Sequence, residues 1–197
     1  MINIETDSHG RTYQIWKQDQ MNSCGVASVW MARGIARRMS FAEEEWDLAQ
    51  RVYRNAVQGA LSPLGAAVPA PMSLDPRAFP RDQSSMQSTI ARFGLFAAQV
   101  ATALRAERLR AEHLGIRPDG NARSIQPNKI AIDKPAIALV YWNGGGGHFV
   151  VVGRCTAHAV SFLDPWNGRV SEQPNDGVYN PNYNNIGLIG EVIYISA

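Results

Sequence analysis

Residues 18–30 read "QDQMNSCGVASVW", and the stretch changes character at Ser23. Ahead of Ser23 stand polar residues with no period. After it Val26, Trp30 and Ile35, with Ala27, Met31 and Gly34, share one broad apolar face, which predicts a helix out to about Arg38. Ser23 or Asn22 is placed to cap it. Cys24 then opens the first turn, where backbone N–H groups lack partners and the helix dipole favours negative charge, and so favours thiolate. Gly25 removes side-chain bulk beside the thiol and leaves a substrate room to approach the backbone. A thiol also fills space as a small hydrophobe, and from this stretch alone both readings stand.

Outward from that helix the chain reads in two halves. "RTYQIWKQ" before it is an extended segment, and "SFAEEEWDLAQRVYRNAV" after it predicts a second helix. Ser40 is its expected cap, Glu43 and Glu44 suit its positive end, and Trp46, Ala49, Val52, Tyr53 and Ala56 form its buried stripe. The run Glu43–Glu45 reads as a solvated first turn. Residues 58–83 are proline-rich and aperiodic, a long surface connection. "SSMQSTIARFG" predicts a third helix closed by Gly94, "LFAAQVAT" fits helix or strand, and "ALRAERLRAEHLG" predicts a helix ending at Gly115. Beyond residue 130 the period becomes that of strands: "PAIALVYWN", "HFVVVGRC", "AVSFLDP" and "IGLIGEVIYIS" are β-branched or aromatic and separated by Gly, Asn and Pro. Helices first and strands second make an α+β domain. The expectation is one domain over 1–197, a helical half over about 15–115 packed on a twisted antiparallel sheet over about 130–197, with a cleft between them.

Bulk properties narrow the function. A chain of 197 residues, 45% hydrophobic and 18% charged, is ordinary for a globular protein able to bury its own core. Its net charge of +2 and scattered arginines leave no basic stripe for nucleic acid. No apolar stretch reaches the length of a membrane span, and "MINIETDSHG" lacks the parts of a signal peptide. The expected place of synthesis is therefore the cytoplasm, with any export by a route that needs no cleaved leader. No cofactor is implied. Cys155 and His158 are too few ligands for a metal, and "NGGGGH" lacks the lysine and hydroxyl residue of a phosphate loop.

A nucleophilic thiol needs a base, and the base needs an orienting group. Among four histidines, His9 and His113 read as surface residues and His158 as part of a hairpin turn. His148 opens the apolar strand "HFVVV" directly after four glycines. Sixteen residues later Asp164 closes the next strand, so a hairpin of the two sets carboxylate beside imidazole. Trp166 is placed to cover the pair. An oxyanion formed at Cys24 needs donors, one being the Cys24 N–H and another a side-chain amide from the preceding loop. Gln18, Gln20 and Gln14 are chemically equivalent for that task. Cys155 reads as structural or surface, with no role in the chemistry.

"QDQMNSCG", "HFVVV" and "DPWNG", in this order and spacing, resemble papain-like cysteine peptidases, in particular the bacterial branch with the double-glycine leader peptidases. That resemblance picks Gln18, six residues before Cys24, as the oxyanion donor, and implies Cys24 as nucleophile, His148 as base and acid, and Asp164 as orienter. Ser23 departs from the acidic residue common before the cysteine in that branch, and the proline-rich segment and the four glycines are particular to this chain. The implied activity is a cysteine endopeptidase acting on a protein or peptide. Gly144–Gly147, Gly147 above all, would line a channel for small residues at a Gly-Gly or Gly-Ala cut. The resemblance further implies a bacterial effector or toxin, made in the cytoplasm, delivered by a secretion machine without a cleaved signal, and restrained by a cognate immunity protein that plugs the cleft. The same residues would also serve a glutamine deamidase or transglutaminase-like acyltransferase, or a stand-alone processing peptidase.

Overall fold

The computed structural model describes residues 1–60, 94–181 and 185–197. The third helix expected over 84–94, except its closing Gly94, and nearly all of the proline-rich segment lie outside them. A hairpin, β1 (Ile2–Thr6) and β2 (Thr12–Trp16), leads into α1 (Cys24–Arg37), α2 (Glu45–Ala60) and α3 (Ala97–Ala106). Then come β3 (Arg110–Leu114), β4 (Ala136–Trp142), β5 (Gly147–Cys155), β6 (Ala159–Asp164), β7 (Arg169–Pro174), β8 (Val178–Tyr179) and β9 (Gly187–Ser196). These strands form one sheet in the order β3-β9-β4-β5-β6-β7, with β8 also paired to β9, and every pairing is antiparallel. The expected α+β layout, helices leading and an antiparallel sheet following, is what the chain adopts.

The helices cover one face of the sheet. Val26 and Trp30 of α1, Leu48 of α2 and Leu104 of α3 share a core with Ile137, Leu139, Phe149, Val151 and Ile193. On the opposite face Val140, Val150, Val152, Phe162, Tyr179 and Val192 form a second core. Because β5 is buried on both sides, its sequence is a continuous apolar run rather than an alternation. The β1–β2 hairpin docks on the sheet where Tyr13 lies over Gly153, at the register shift between β5 and β6. A Cβ on Gly153 would stand 2.6 Å from that ring.

Two arginines end helices where glycine is usual. Arg38 and Arg108 adopt left-handed backbone, φ 53° and 61°. Met39 N donates to Gly34 O at 3.0 Å and Leu109 N to Leu104 O at 3.1 Å, so α1 and α3 both close in Schellman motifs. The helix expected over 103–115 therefore stops short, and its second half is β3, paired with β9, with Ala111 on the strand and Leu109 just before it buried. His113 lies on that strand, bonded through Nε2 to Glu191 at 2.7 Å, rather than free on a helix surface.

The acidic run also departs from expectation. Glu43 meets Arg33 and Arg51, and Glu107 meets the same two arginines from α3, at 3.1 and 2.5 Å. Arg33 is buried with its guanidinium 3.8 Å over the Phe41 ring. Glu45 is buried too, because α2 begins there and its carboxylate accepts the Asp19 N–H at 2.9 Å. Ser40 caps nothing and donates to Gln14 Oε1 instead. Ser23 holds the N-cap position of α1, but its hydroxyl bonds the Gln20 carbonyl at 3.0 Å.

Candidate active site

Cys24 is the first residue of α1, and Gly25 beside it packs on Phe149, so this end of the helix lies near the start of β5, where His148 is the second residue. His148 and Asp164 meet across the β5–β6 hairpin. Imidazole Nε2 is 2.7 Å from Asp164 Oδ1, and the Cys24 thiol is the other polar group that acts on the imidazole. All three are buried, at 8%, 5% and 0% exposure for Cys24, His148 and Asp164. Burial alone would pull the imidazole toward its neutral form. The hydrogen bonds to Asp164 and Cys24 outweigh it and hold the group up at about 9.

Asp164 has further partners. Oδ1 also accepts the Trp166 N–H at 2.8 Å, and Oδ2 accepts the hydroxyl of Tyr179 at 2.7 Å. Two indoles flank the imidazole: Trp142 stacks on it, centroids 5.7 Å apart and planes 16° apart, and Trp166 meets it edge-on at 6.4 Å. Trp166 thus touches both members of the pair, by its ring edge and its backbone N–H, while remaining 46% exposed.

The loop ahead of Cys24 is tied to both halves. Gln18 N donates to Pro165 O at 2.8 Å, binding the loop to the turn after Asp164, and Asp19 N reaches Glu45 of α2. The Gln18 amide donates within the loop, to Gln20 O at 2.7 Å and Met21 O at 2.9 Å. Gln14 is on β2 with its amide oxygen engaged by Ser40 near the far end of α1. The glycines divide by role. A Cβ on Gly25 would press on Leu95 and Phe149, at 3.1 and 3.3 Å, so its bareness serves the seating of α1 on the sheet. Gly145 and Gly146 take φ of 91° and 84° in open space, as their turn requires, and Gly147 lies against Leu139.

Tyr179, Trp142 and Glu45 had no signal in the sequence: Tyr179 belongs to a two-residue strand and follows no motif. Away from the site, Cys155 accepts a bond from Asn175 at 3.4 Å, and burial pushes its thiol up to about 11. Asp7, His9 and Glu172 also converge, but the Asp7 carboxylate already accepts two backbone N–H groups and the Tyr13 hydroxyl. Among the described residues no helix is long and apolar enough to cross a membrane.

No protein-family model and no curated protein matches the chain. Among solved structures it is similar to a double-glycine motif protease from an AMS/PCAT transporter, determined in complex with the leader peptide. The two share 17% identity over 99% of each chain, with a TM-score of 0.44. It is also similar to the Pseudomonas avirulence protein AvrPphB, at 13% identity over 90% of this chain and 92% of that one, with a TM-score of 0.39. These likenesses concern the path of the chain; the chemistry of the site stands on its own side chains.

Proposed function

We propose that the chain is a cysteine endopeptidase. The observation that carries this reading is the line of contacts from a thiol at a helix start, through a buried imidazole, to a fully buried carboxylate. His148 holds, as imidazolium, the proton that Cys24 has given up, and the thiolate adds to a substrate carbonyl. The oxyanion is met by the Cys24 N–H and by the Gln18 amide, released from the carbonyls it holds at rest. The imidazolium then returns its proton to the departing amine, leaving a thioester, and His148 draws a proton from the water that hydrolyses it. Asp164 keeps the Nε2–H tautomer and steadies the charged ring. Trp166 and Gly147 flank the histidine and would meet the substrate, and the bare turn before Gly147 favours small residues at the cut. A delivered effector with an inhibitor over its cleft is the setting we attach to this activity.

The test is a peptide library, varied on both sides of the scissile bond, incubated with the wild-type chain and with Cys24→Ala and read by mass spectrometry. Cleavage products from the wild type alone, richest at Gly-Gly, are expected. Conversion of glutamine to glutamate without fragments would replace peptidase by deamidase, and bulky residues before the cut would remove the small-residue preference. Expression of the wild type inside a bacterial cell, against Cys24→Ala, addresses the effector role: growth arrest by the wild type alone is expected.

A further inference from the structure

Asp164 is buried with both oxygens engaged, yet a base–orienter pair requires only one of them. Oδ2 takes the Tyr179 hydroxyl at 2.7 Å, and Tyr179 is itself fully buried. Its ring packs edge-on against Phe162 at 5.1 Å and lies tilted to Trp142 at 6.1 Å, and Trp142 stacks on His148. Tyr179 therefore reaches the imidazole by two routes, through the carboxylate and through the indole. It is held by the pairing of Tyr179 with Gly187 on β9, a strand that neither His148 nor Asp164 occupies.

We propose that Tyr179 is a positioning residue of the reaction: its hydroxyl fixes the Asp164 carboxylate in rotation and moderates its pull on His148. This rests on the peptidase reading of Cys24, His148 and Asp164. A donated hydrogen bond spreads carboxylate charge onto Oδ2, so less remains at Oδ1 facing the ring. The bond is strongest when the imidazole is neutral and does not compete for that charge. Losing it therefore disfavours the neutral ring more than the charged one. Among the described residues, the titratable groups facing His148 are Cys24 from α1 and Asp164 from β6, with Tyr179 of β8 behind Asp164; Trp142 of β4 and Trp166 after β6 add none.

The test is Tyr179→Phe in the full chain, which retains the ring contacts and removes only the hydroxyl. The first readout is the rate of Cys24 alkylation by iodoacetamide against pH, followed on the Cys24 peptide by mass spectrometry. The alkaline limb, where the imidazolium is lost, is expected to move to higher pH. The second is steady-state cleavage, with kcat about tenfold lower and KM unchanged. A limb that superimposes on the wild type overturns the proposal. Should circular dichroism show Tyr179→Phe unfolded, fluorotyrosine at position 179 keeps the ring and strengthens the donor. The limb must then move to lower pH, and an unmoved limb overturns the proposal equally. Alkylation needs no substrate, so the outcomes separate: a chain that shows the shift but cleaves nothing loses the peptidase reading, and one that cleaves without the shift loses Tyr179.

Discussion

The imidazole of His148 holds its proton to about pH 9, against an ordinary value near 6.5, because two hydrogen-bonded partners outweigh its burial. A group whose folded affinity for the proton is raised stabilises the fold fully below its unfolded value and loses that contribution as pH climbs through the folded one. The stability advantage of the wild type over His148→Gln is therefore expected to be largest below about pH 6.5 and to vanish above about pH 9, measured by urea unfolding across that range. Cleavage is expected to fall over the same alkaline interval. The second thiol behaves otherwise: with Cys155 held up at about 11, iodoacetamide near neutral pH is expected to label Cys24, and preferential labelling of Cys155 would count against the nucleophile. His148 and Asp164 were legible because a strand start and a strand end, sixteen residues apart, meet in any simple hairpin. Tyr179 was not, because its contact depends on a pairing with β9 that no local pattern announces.

At the scale of elements, the failure over 103–115 has one cause. A stop signal is sought in glycine, and here Arg108 takes the left-handed conformation, so the apolar spacing runs on past the true end of α3. Arg108→Gly is expected to raise stability by about 0.5–1 kcal/mol, since a side chain at that φ is strained while glycine is less so, partly offset by the freer unfolded chain; thermal unfolding checks it. The acidic run misled for a related reason. Charge count implied a solvated turn, whereas Glu45 opens α2 beneath the loop that carries Gln18 and accepts the neighbouring amide. Glu45→Ala is expected to lower kcat about tenfold by loosening that loop, with Glu45→Gln, which keeps an acceptor oxygen, restoring most of it. Equal losses in both variants would make the charge, not the acceptor, the requirement.

For the molecule as a whole, the helices are joined by more than apolar contact. Arg33, Glu43, Arg51 and Glu107 bind α1, α2 and the end of α3 in one ionic cluster, with Arg33 almost sealed from water. Without Glu107 both arginines keep only Glu43, so Glu107→Ala is expected to destabilise by about 1–3 kcal/mol, read from denaturant midpoints. The helix-then-sheet order was readable from the change of period near residue 130; which strand lies next to which was not. β9, latest in the chain, sits between β3 and β4 rather than at an edge, and the turn after β6 is what fastens the Gln18 loop. A ribosome that has released α1 has therefore not yet made the residues that meet Cys24. Cys24 stays without His148 and Asp164 until β5 and β6 have emerged, and the sheet beneath it stays open until β9 slots into its middle. The order of synthesis thus sets the order of assembly: Cys24, His148 and Asp164 come together over a closed sheet only after β9 has emerged.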